Sequence, residues 1–402
     1  MVFDTIKSLA KDGKPVDLIS VTNRIREKGQ LDEVGIDYIN QMIMDTPASW
    51  NADNYAETVQ KYASLREIMN IGYEMVDQGA RSNAGTDPNE IININTRKLI
   101  DIQGRKAENT DVDSIVTEFN ETQEKFKERL LDNSQEYLGI ASGFTKIDNV
   151  IDGLRPGHMW LIGGYTSAGK TYFLLNIINK IMTHTPVCLF SLEMSRVDIV
   201  SRLLGLETNY GSTKVLRHEF VDQWEVDEYE AAKQRLLASK LSIYSQITNL
   251  DDIIISMMRE IVVNKTKVFA IDYVQLVRTG SKSEYEQVTE VAQRLQNFAR
   301  ENNVTVIALS QISNEHAKDQ SRDVMGFKGG GSLPASADLA IELFNNNTRE
   351  ERDQKMHDKQ PFSVNAVIKK NRHGRTGVAE VYFYPWTGKF TEDYLYESSK
   401  KA

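Results

Sequence analysis

The chain has 402 residues, enough for two or three domains with cores of their own, and its 40% apolar and 26% charged content excludes a disordered polymer. A net charge of −9 argues against adhesion to nucleic acid over a broad face, while leaving room for a small, locally basic channel. One cysteine, Cys188, and six scattered histidines exclude a disulfide framework or a zinc site, and no apolar run nears the ~20 residues of a membrane span, so a cytoplasmic protein is expected.

From the N-terminus, Phe3, Ile6, Leu9 and Ala10 recur at helical spacing until Gly13 and Pro15 break the run. Asp17 is placed to cap a helix over 18–28 that stops at Gly29, and a short helix over 37–44 ends before Pro47. Tyr55, Val59, Tyr62, Ile68, Ile71 and Tyr73 mark a long helix; residues 81–86 turn the chain, and a helix over 88–103 returns antiparallel. This half carries no catalytic chemistry, and its aromatic and aliphatic stripe reads as core. After a charged break at 105–109, Val112, Ile115, Val116, Phe119, Phe126 and Leu130 line one side of another helix. That side must be covered by its own chain or by a neighbouring subunit. The expected divisions are a helical N-terminal domain over 1–105, a linker helix within 106–136 and an α/β domain over 137–402.

From Tyr137 onward strands and helices alternate. Strands are predicted at 158–162, 187–190, 241–244, 268–271, 304–309 and 337–343, with helices including 172–182, 225–239 and 284–301. Several strands are near-continuous apolar runs, the pattern of a mainly parallel sheet covered on both faces. After Pro361, the segments 362–370 and 378–384 alternate in polarity and are joined by 371–377, an antiparallel hairpin at the sheet edge.

Within this frame Gly164-Tyr165-Thr166-Ser167-Ala168-Gly169-Lys170-Thr171 fits the phosphate-binding pattern G-x-x-x-x-G-K-S/T at every fixed position, between a strand and a helix. Glycines let backbone N–H groups turn toward phosphate oxygens, and the helix N-terminus adds its positive dipole end. Gly164, Ser167, Ala168, Gly169, Lys170, Thr171 and Tyr172 are therefore the candidate contacts of a nucleoside triphosphate. Lys170 can reach its outer phosphates and the Thr171 hydroxyl can ligate Mg²⁺. Other candidates follow the strand ends. Glu193, in Ser191-Leu192-Glu193-Met194-Ser195, could activate a water; Asp272 closes an apolar strand, as a Walker B acid that holds Mg²⁺ does; Ser310 and Gln311 could sense the terminal phosphate.

The order of these strings, with Ile271-Asp272-Tyr273-Val274-Gln275-Leu276, Ala308-Leu309-Ser310-Gln311 and Lys370-Asn371-Arg372-His373-Gly374, resembles the replicative DnaB-type DNA helicases. Residues 139–157 resemble the start of that family's RecA-like domain, and 13–18 and 38–55 the later part of its helical N-terminal domain, so the likeness covers essentially the whole chain. The resemblance implies an α/β, RecA-like P-loop ATPase domain behind a small all-α domain and a linker helix. It implies ATP with Mg²⁺, Lys170 on the phosphates, Thr171 and Asp272 at the metal, Glu193 as the base that positions water and Gln311 as the γ-phosphate sensor. It makes Lys370 and Arg372 a cationic pair inserted into a neighbouring subunit's ATP site; considered without the rest, Lys369, Lys370, Arg372 and Arg375 also read as a solvated basic turn or a DNA contact. The activity implied is unwinding of duplex DNA by a hexameric ring moving 5′ to 3′ on single-stranded DNA at the replication fork. Primase and a helicase loader would be the partners, and the nucleoid the place of work.

The sequence departs from the family pattern in three places. It starts inside the N-terminal domain. Lys328-Gly329-Gly330-Gly331 stands where the family's DNA-facing loop commonly reads Arg-Glu-Ser-Gly, which makes Lys328, Gly329 and Gly331 the candidate DNA contacts and equally a glycine linker. Gln287 stands where an arginine is frequent. Two rivals are a RecA-type recombinase or regulatory ATPase, which would lack Asp272-Tyr273-x-Gln275-Leu276 beside a helical N-terminal half, and a non-unwinding primosome scaffold, for which the catalytic residues would be superfluous.

Overall fold

The computed structural model of the chain describes residues 2–11, 14–44, 52–83, 85–104, 112–131, 137–165, 168–281, 283–312 and 332–394. Its contacts divide the chain into two units, Met1–Arg105 and Lys106–Ala402. Among the described residues no helix is long and apolar enough to cross a membrane.

In the first unit α1 (Val2–Lys11), α2 (Leu18–Glu27), α3 (Leu31–Val34) and α4 (Ile36–Met44) close on Leu9, Val21, Ile25 and Ile39. Asp17 caps α2 as its sequence position predicts: its carboxylate accepts the Ser20 N–H at 2.7 Å. The long α5 (Ala52–Ala80) and α6 (Pro88–Gly104) run antiparallel. Asn95 Nδ2 donates to Gln78 Oε1 at 2.8 Å, and Lys98 pairs with Glu74 one turn further along. The expectation that the α5 stripe is core is corrected here. Ile71 is buried, but Val59, Tyr62, Ile68 and Tyr73 are exposed in the single protomer. The reason is that among the described residues α5 packs mainly on α6, which can cover one face only.

The second unit begins with α7 (Val112–Leu131), whose Val112, Ile115, Val116 and Phe119 are exposed in the lone chain. Then follow α8 (Thr145–Ile151), β1 (Met159–Gly164), α9 (Lys170–Ile181), β2 (Val187–Ser191), α10 (Arg196–Thr208), α11 (Ser212–Arg217), α12 (Gln223–Leu237), β3 (Leu241–Ser245), α13 (Leu250–Asn264) and β4 (Val268–Asp272). A 3₁₀ turn, Val274–Leu276, leads to α14 (Glu284–Glu301), β5 (Thr305–Gln311), α15 (Ser332–Ser336), β6 (Leu339–Asn345), α16 (Arg349–His357), β7 (Phe362–Asn371), β8 (Gly377–Tyr384) and β9 (Lys389–Thr391).

Among the described residues the strands form one sheet in the order β3-β2-β4-β5-β1-β6-β7-β8-β9. From β3 to β6 every pairing is parallel; β7, β8 and β9 continue it antiparallel. The central strands are apolar on both faces because both are covered. One face meets Phe173, Leu174, Ile177 and Ile178 of α9 and Ile199 and Leu203 of α10; the other meets Ile253 and Met257 of α13 and Val291 and Leu295 of α14.

Three strands start later than the pattern predicts, at Met159, Thr305 and Leu339. The strand β9 is not legible, being three residues beyond a turn. It matters nonetheless, because it holds α9, the helix that carries Lys170 and Thr171. Asn176 on α9 donates to Gly388 O at 2.9 Å and accepts the Phe390 N–H at 3.0 Å. Gly388 has φ +80°, and a Cβ there would lie 2.1 Å from the Tyr172 ring. Gly388→Ala therefore combines backbone strain with overpacking and should destabilise this unit by about 2–4 kcal/mol. A melting transition lowered by roughly 5–10 °C is the expected calorimetric result; an unshifted transition would mean that β9 does not hold α9 in solution.

Candidate active site

The phosphate-loop sequence spans the end of β1 and the start of α9. Gly164 is the last residue of β1 and Lys170 the first of α9. Gly169 caps the helix in the left-handed region, φ +85°, and a Cβ on it would sit 3.0 Å from the Phe390 ring. The Lys170 ammonium folds over its own loop, donating to Gly164 O at 2.7 Å and Tyr165 O at 2.9 Å. Burial draws its pKa below the ordinary lysine value, against the opposing pull of Asp272 and Glu193. Ala168 is buried beside the loop, and Ser167 lies outside the described residues.

Thr171 donates its hydroxyl to Asp272 Oδ2 at 2.8 Å. Asp272 ends β4 and is 2% exposed. Burial raises its pKa to about 6, and the Glu193 charge adds to the rise; the Thr171 hydroxyl, Lys170 and Arg202 oppose it. Glu193 is exposed in the turn between β2 and α10. That turn is pinned twice, by Leu192 N–H on Asp272 O at 2.9 Å and by the Ser191 hydroxyl on Met194 O at 2.9 Å. A hydroxyl and a carboxylate held together suit a hard cation that keeps most of its water and takes the rest of its shell from phosphate. The residues present thus fit Mg²⁺ delivered with a nucleotide.

Gln311 ends β5 opposite Gly164, and the next residue's N–H, from Ile312, reaches Gly164 O at 3.3 Å. The strand end is braced by a residue to which the sequence reading gave no role. Gln275, in the 3₁₀ turn after Asp272, donates to Ser310 Oγ at 2.8 Å and accepts the Gln311 N–H at 3.4 Å. Tyr172 sits in the first turn of α9, but its ring is occupied: the Arg202 guanidinium stacks 4.5 Å from its centroid. Arg202 is a second residue missed, and no periodicity in α10 singles it out.

Lys370 and Arg372 are elsewhere. Register pairs Lys370 with Ala340 and Asn371 with Leu339, at the start of β6, and the Arg372 N–H donates to Asp338 O at 2.9 Å. Asp338 in turn bonds Met159, the first residue of β1, whereas Gly164 is its last. At roughly 3.3 Å per residue these two ends lie about 16 Å apart. One end of the sheet therefore gathers Gly164, Gly169, Lys170, Thr171, Glu193, Asp272 and Gln311, and the other holds Lys370 and Arg372. Lys328, Gly329 and Gly331 lie outside the described residues.

Comparison with known proteins agrees with this architecture. Residues 139–392 match the family described as DnaB-like helicase C terminal domain, and residues 1–61 match DnaB-like helicase N terminal domain. The replicative DNA helicase DnaB of Geobacillus stearothermophilus is 27% identical over 403 residues, covering 97% of this chain and 86% of that protein. The replicative DNA helicase DnaC of Bacillus subtilis is 26% identical, covering 97% and 86%. A solved DnaB-like replicative helicase, determined with its primase interactions, superposes with a TM-score of 0.69 at 23% identity over 96% of this chain and 90% of that one. That likeness is one of fold.

The raised pKa of Asp272 has a measurable consequence. Between the unfolded value of 3.8 and the folded value of about 6 the folded chain binds the extra proton, so this group's contribution to stability rises as pH falls through 6. Above pH 7 the buried ionised carboxylate costs the metal-free protein on the order of 2–3 kcal/mol. Asp272→Asn, whose amide oxygen can still accept the Thr171 hydroxyl, should raise the melting temperature of the nucleotide-free protein at pH 8. The advantage should fade toward pH 5, and hydrolysis of ATP should be lost. A stability offset that is the same at every pH would place the titrating group elsewhere.

Proposed function

Because the chain belongs to the DnaB-like helicase family, and is by that membership an ATP-hydrolysing replicative DNA helicase, we propose that it works as a hexameric ring whose ATP sites are completed across subunit interfaces. The observation that carries this reading is the distance between the two halves of the chemistry. Five groups proposed to handle phosphate, metal and water converge at the carboxyl ends of the parallel strands, while the cationic pair stands at the opposite end of β1. Within one chain Arg372 does not serve its own phosphate loop. In a head-to-tail ring, one subunit's cationic end can meet the next subunit's phosphate loop.

In this proposal Lys170 leaves its two loop carbonyls for the β- and γ-phosphates. Thr171 and Asp272 would hold Mg²⁺, which would supply positive charge against the phosphates. Glu193 orients the attacking water, and Gln311, braced by Gln275, contacts the γ-phosphate. Charge on the transferring phosphoryl oxygens is then stabilised by Lys370 and Arg372 of the adjacent copy. Single-stranded DNA would pass through the ring 5′ to 3′, with Lys328, Gly329 and Gly331 reaching its backbone. A likeness to a helicase solved with its primase interactions supports primase as a partner; a loader is the further partner proposed. The recombinase and scaffold readings are not favoured beside the family match. Unwinding of a forked duplex, with electron microscopy of the ATP-bound particle, tests the proposal directly.

Two sets of variants test the roles. Lys170→Ala should abolish hydrolysis, whereas Glu193→Gln should bind ATP normally and turn it over at least about 100-fold more slowly, since Glu193 prepares only the water. Wild-type turnover by Glu193→Gln would move the base elsewhere. Lys170→Ala and Arg372→Ala, each inactive alone, should recover ATPase activity when mixed and allowed to exchange subunits. With random mixing about a quarter of interfaces then pair an intact loop with an intact arginine. Wild-type hydrolysis by Arg372→Ala alone, with DNA present, would remove the trans assignment.

A further inference from the structure

Asp338, immediately before β6, is a buried carboxylate, 2% exposed, on which four donors converge. Its Oδ2 accepts the Met159 N–H at 3.0 Å; its Oδ1 accepts Arg372 Nη1 at 2.7 Å, Arg300 Nη2 at 3.2 Å and Gln296 Nε2 at 3.4 Å. Its backbone is bonded on both sides as well. Its N–H donates to Met159 O at 2.9 Å, and its carbonyl accepts the Arg372 N–H at 2.9 Å. One residue thus ties together the starts of β1 and β6, the last turns of α14 and the turn that leaves β7.

The charges around it decide what this arrangement can do. Burial pushes the Asp338 pKa up, but the Met159 N–H and the Arg300 and Arg372 guanidinium groups outweigh burial, and the carboxyl stays below the usual range. Lys370 stands beside them, donating to Pro334 O at 2.7 Å and Ala335 O at 2.8 Å, and Arg372 Nη2 reaches Ala335 O at 3.3 Å. His158, nearby on β1's approach, is kept neutral at pH 7: burial and then the neighbouring His373 lower its pKa to about 4. One carboxylate against Arg300, Arg372 and Lys370 leaves an excess of positive charge at this tip. Without the carboxylate, Arg300 and Arg372 would repel each other. A guanidinium has five N–H donors, and Arg372 gives only two of its nitrogens to these bonds, so donors remain to meet a phosphate.

We propose that Asp338 is the positioning residue for Arg372: it gathers Arg300 and Arg372 into one cationic tip and fixes the direction of the Arg372 guanidinium before a neighbouring subunit arrives. The inference rests on the reading of Arg372 as a group that acts in trans. Preorganisation of this kind lets the charge stabilise a transition state without rearranging at the moment of reaction.

Asp338→Asn removes the charge, and Asp338→Glu keeps it while moving the carboxylate by one methylene, so the second variant preserves the buried ion pairs that the fold requires. Both should leave the KM for ATP unchanged and lower DNA-stimulated kcat about 10- to 100-fold, the penalty of a group displaced by about 1 Å. Mixed with Lys170→Ala, each should recover activity as Arg372→Ala does. Mixed with Arg372→Ala, neither should, because both lesions then lie on the same side of the interface. Recovery in that last mixture overturns the proposal. So does wild-type kcat in both Asp338 variants while Arg372→Ala is inactive, an outcome that leaves the trans role of Arg372 standing. Wild-type hydrolysis by Arg372→Ala would instead remove the trans role, and the role of Asp338 with it.

Discussion

The hydrogen bond from Thr171 to Asp272 joins groups 101 residues apart and cannot form until α9 stands on β1 and β4 lies two strands away, across β5. Everything at the candidate site depends on that closure. It brings Asp272, the candidate Walker B acid, under the phosphate loop, and the backbone bond from Leu192 to Asp272 then carries Glu193 to the same place. The covered sheet supplies the low-dielectric surroundings in which these charges interact strongly. The same burial lifts the pKa of Asp272 toward neutrality.

Parallel strands also give the sheet two unlike ends. N–H and C=O groups run in one sense from β3 to β6, so loops and helix N-termini collect at the carboxyl ends, where anions are favoured. The amino ends meet the returning hairpin of β7 and β8, which carries cations. An element with a phosphate-seeking end and a cation-bearing end suits heterologous contacts, which close into rings when the rotation permits. The exposed apolar sides of α5 and α7 in the lone protomer are consistent with a chain that completes its burial by association.

What the sequence made legible was whatever local physics imposes. Continuous apolar runs announced β1, β2, β4 and β5, and the glycine pattern before Lys170 announced the loop, because only backbone without side chains can turn there. Asp17 announced its helix start for the same local reason. Residues whose importance lies in partners distant along the chain stayed hidden. Arg202 matters because α10 lays it on Tyr172, Gln275 because β5 ends beside it, and Asp338 because residues 159, 296, 300 and 372 converge on it. Arg202 and Asp338 sit in no pattern that periodicity or spacing can mark, and Gln275, though it stands in the Asp272-Tyr273-x-Gln275-Leu276 string, takes no role from that place alone. The α5 stripe misled for the complementary reason: helical spacing reports an apolar face but not what covers it.

Asp272 and Asp338 show how little burial alone decides. Both aspartates are 2% exposed, yet one carboxyl titrates near 6 and the other below its ordinary range. The difference lies in the donors each has been given. Asp272 receives one neutral hydroxyl and faces the negative Glu193, and the more distant pull of Lys170 and Arg202 does not offset its burial. Asp338 receives a backbone N–H and two guanidinium groups, so its charge is met within the fold and it can hold other groups still. A buried carboxylate left short of donors is a site waiting for an ion, and one fully supplied is a fixed point of the framework. In this sheet the two stand at opposite ends, the first where metal and phosphate are proposed to bind and the second behind the charge proposed to act on a neighbour.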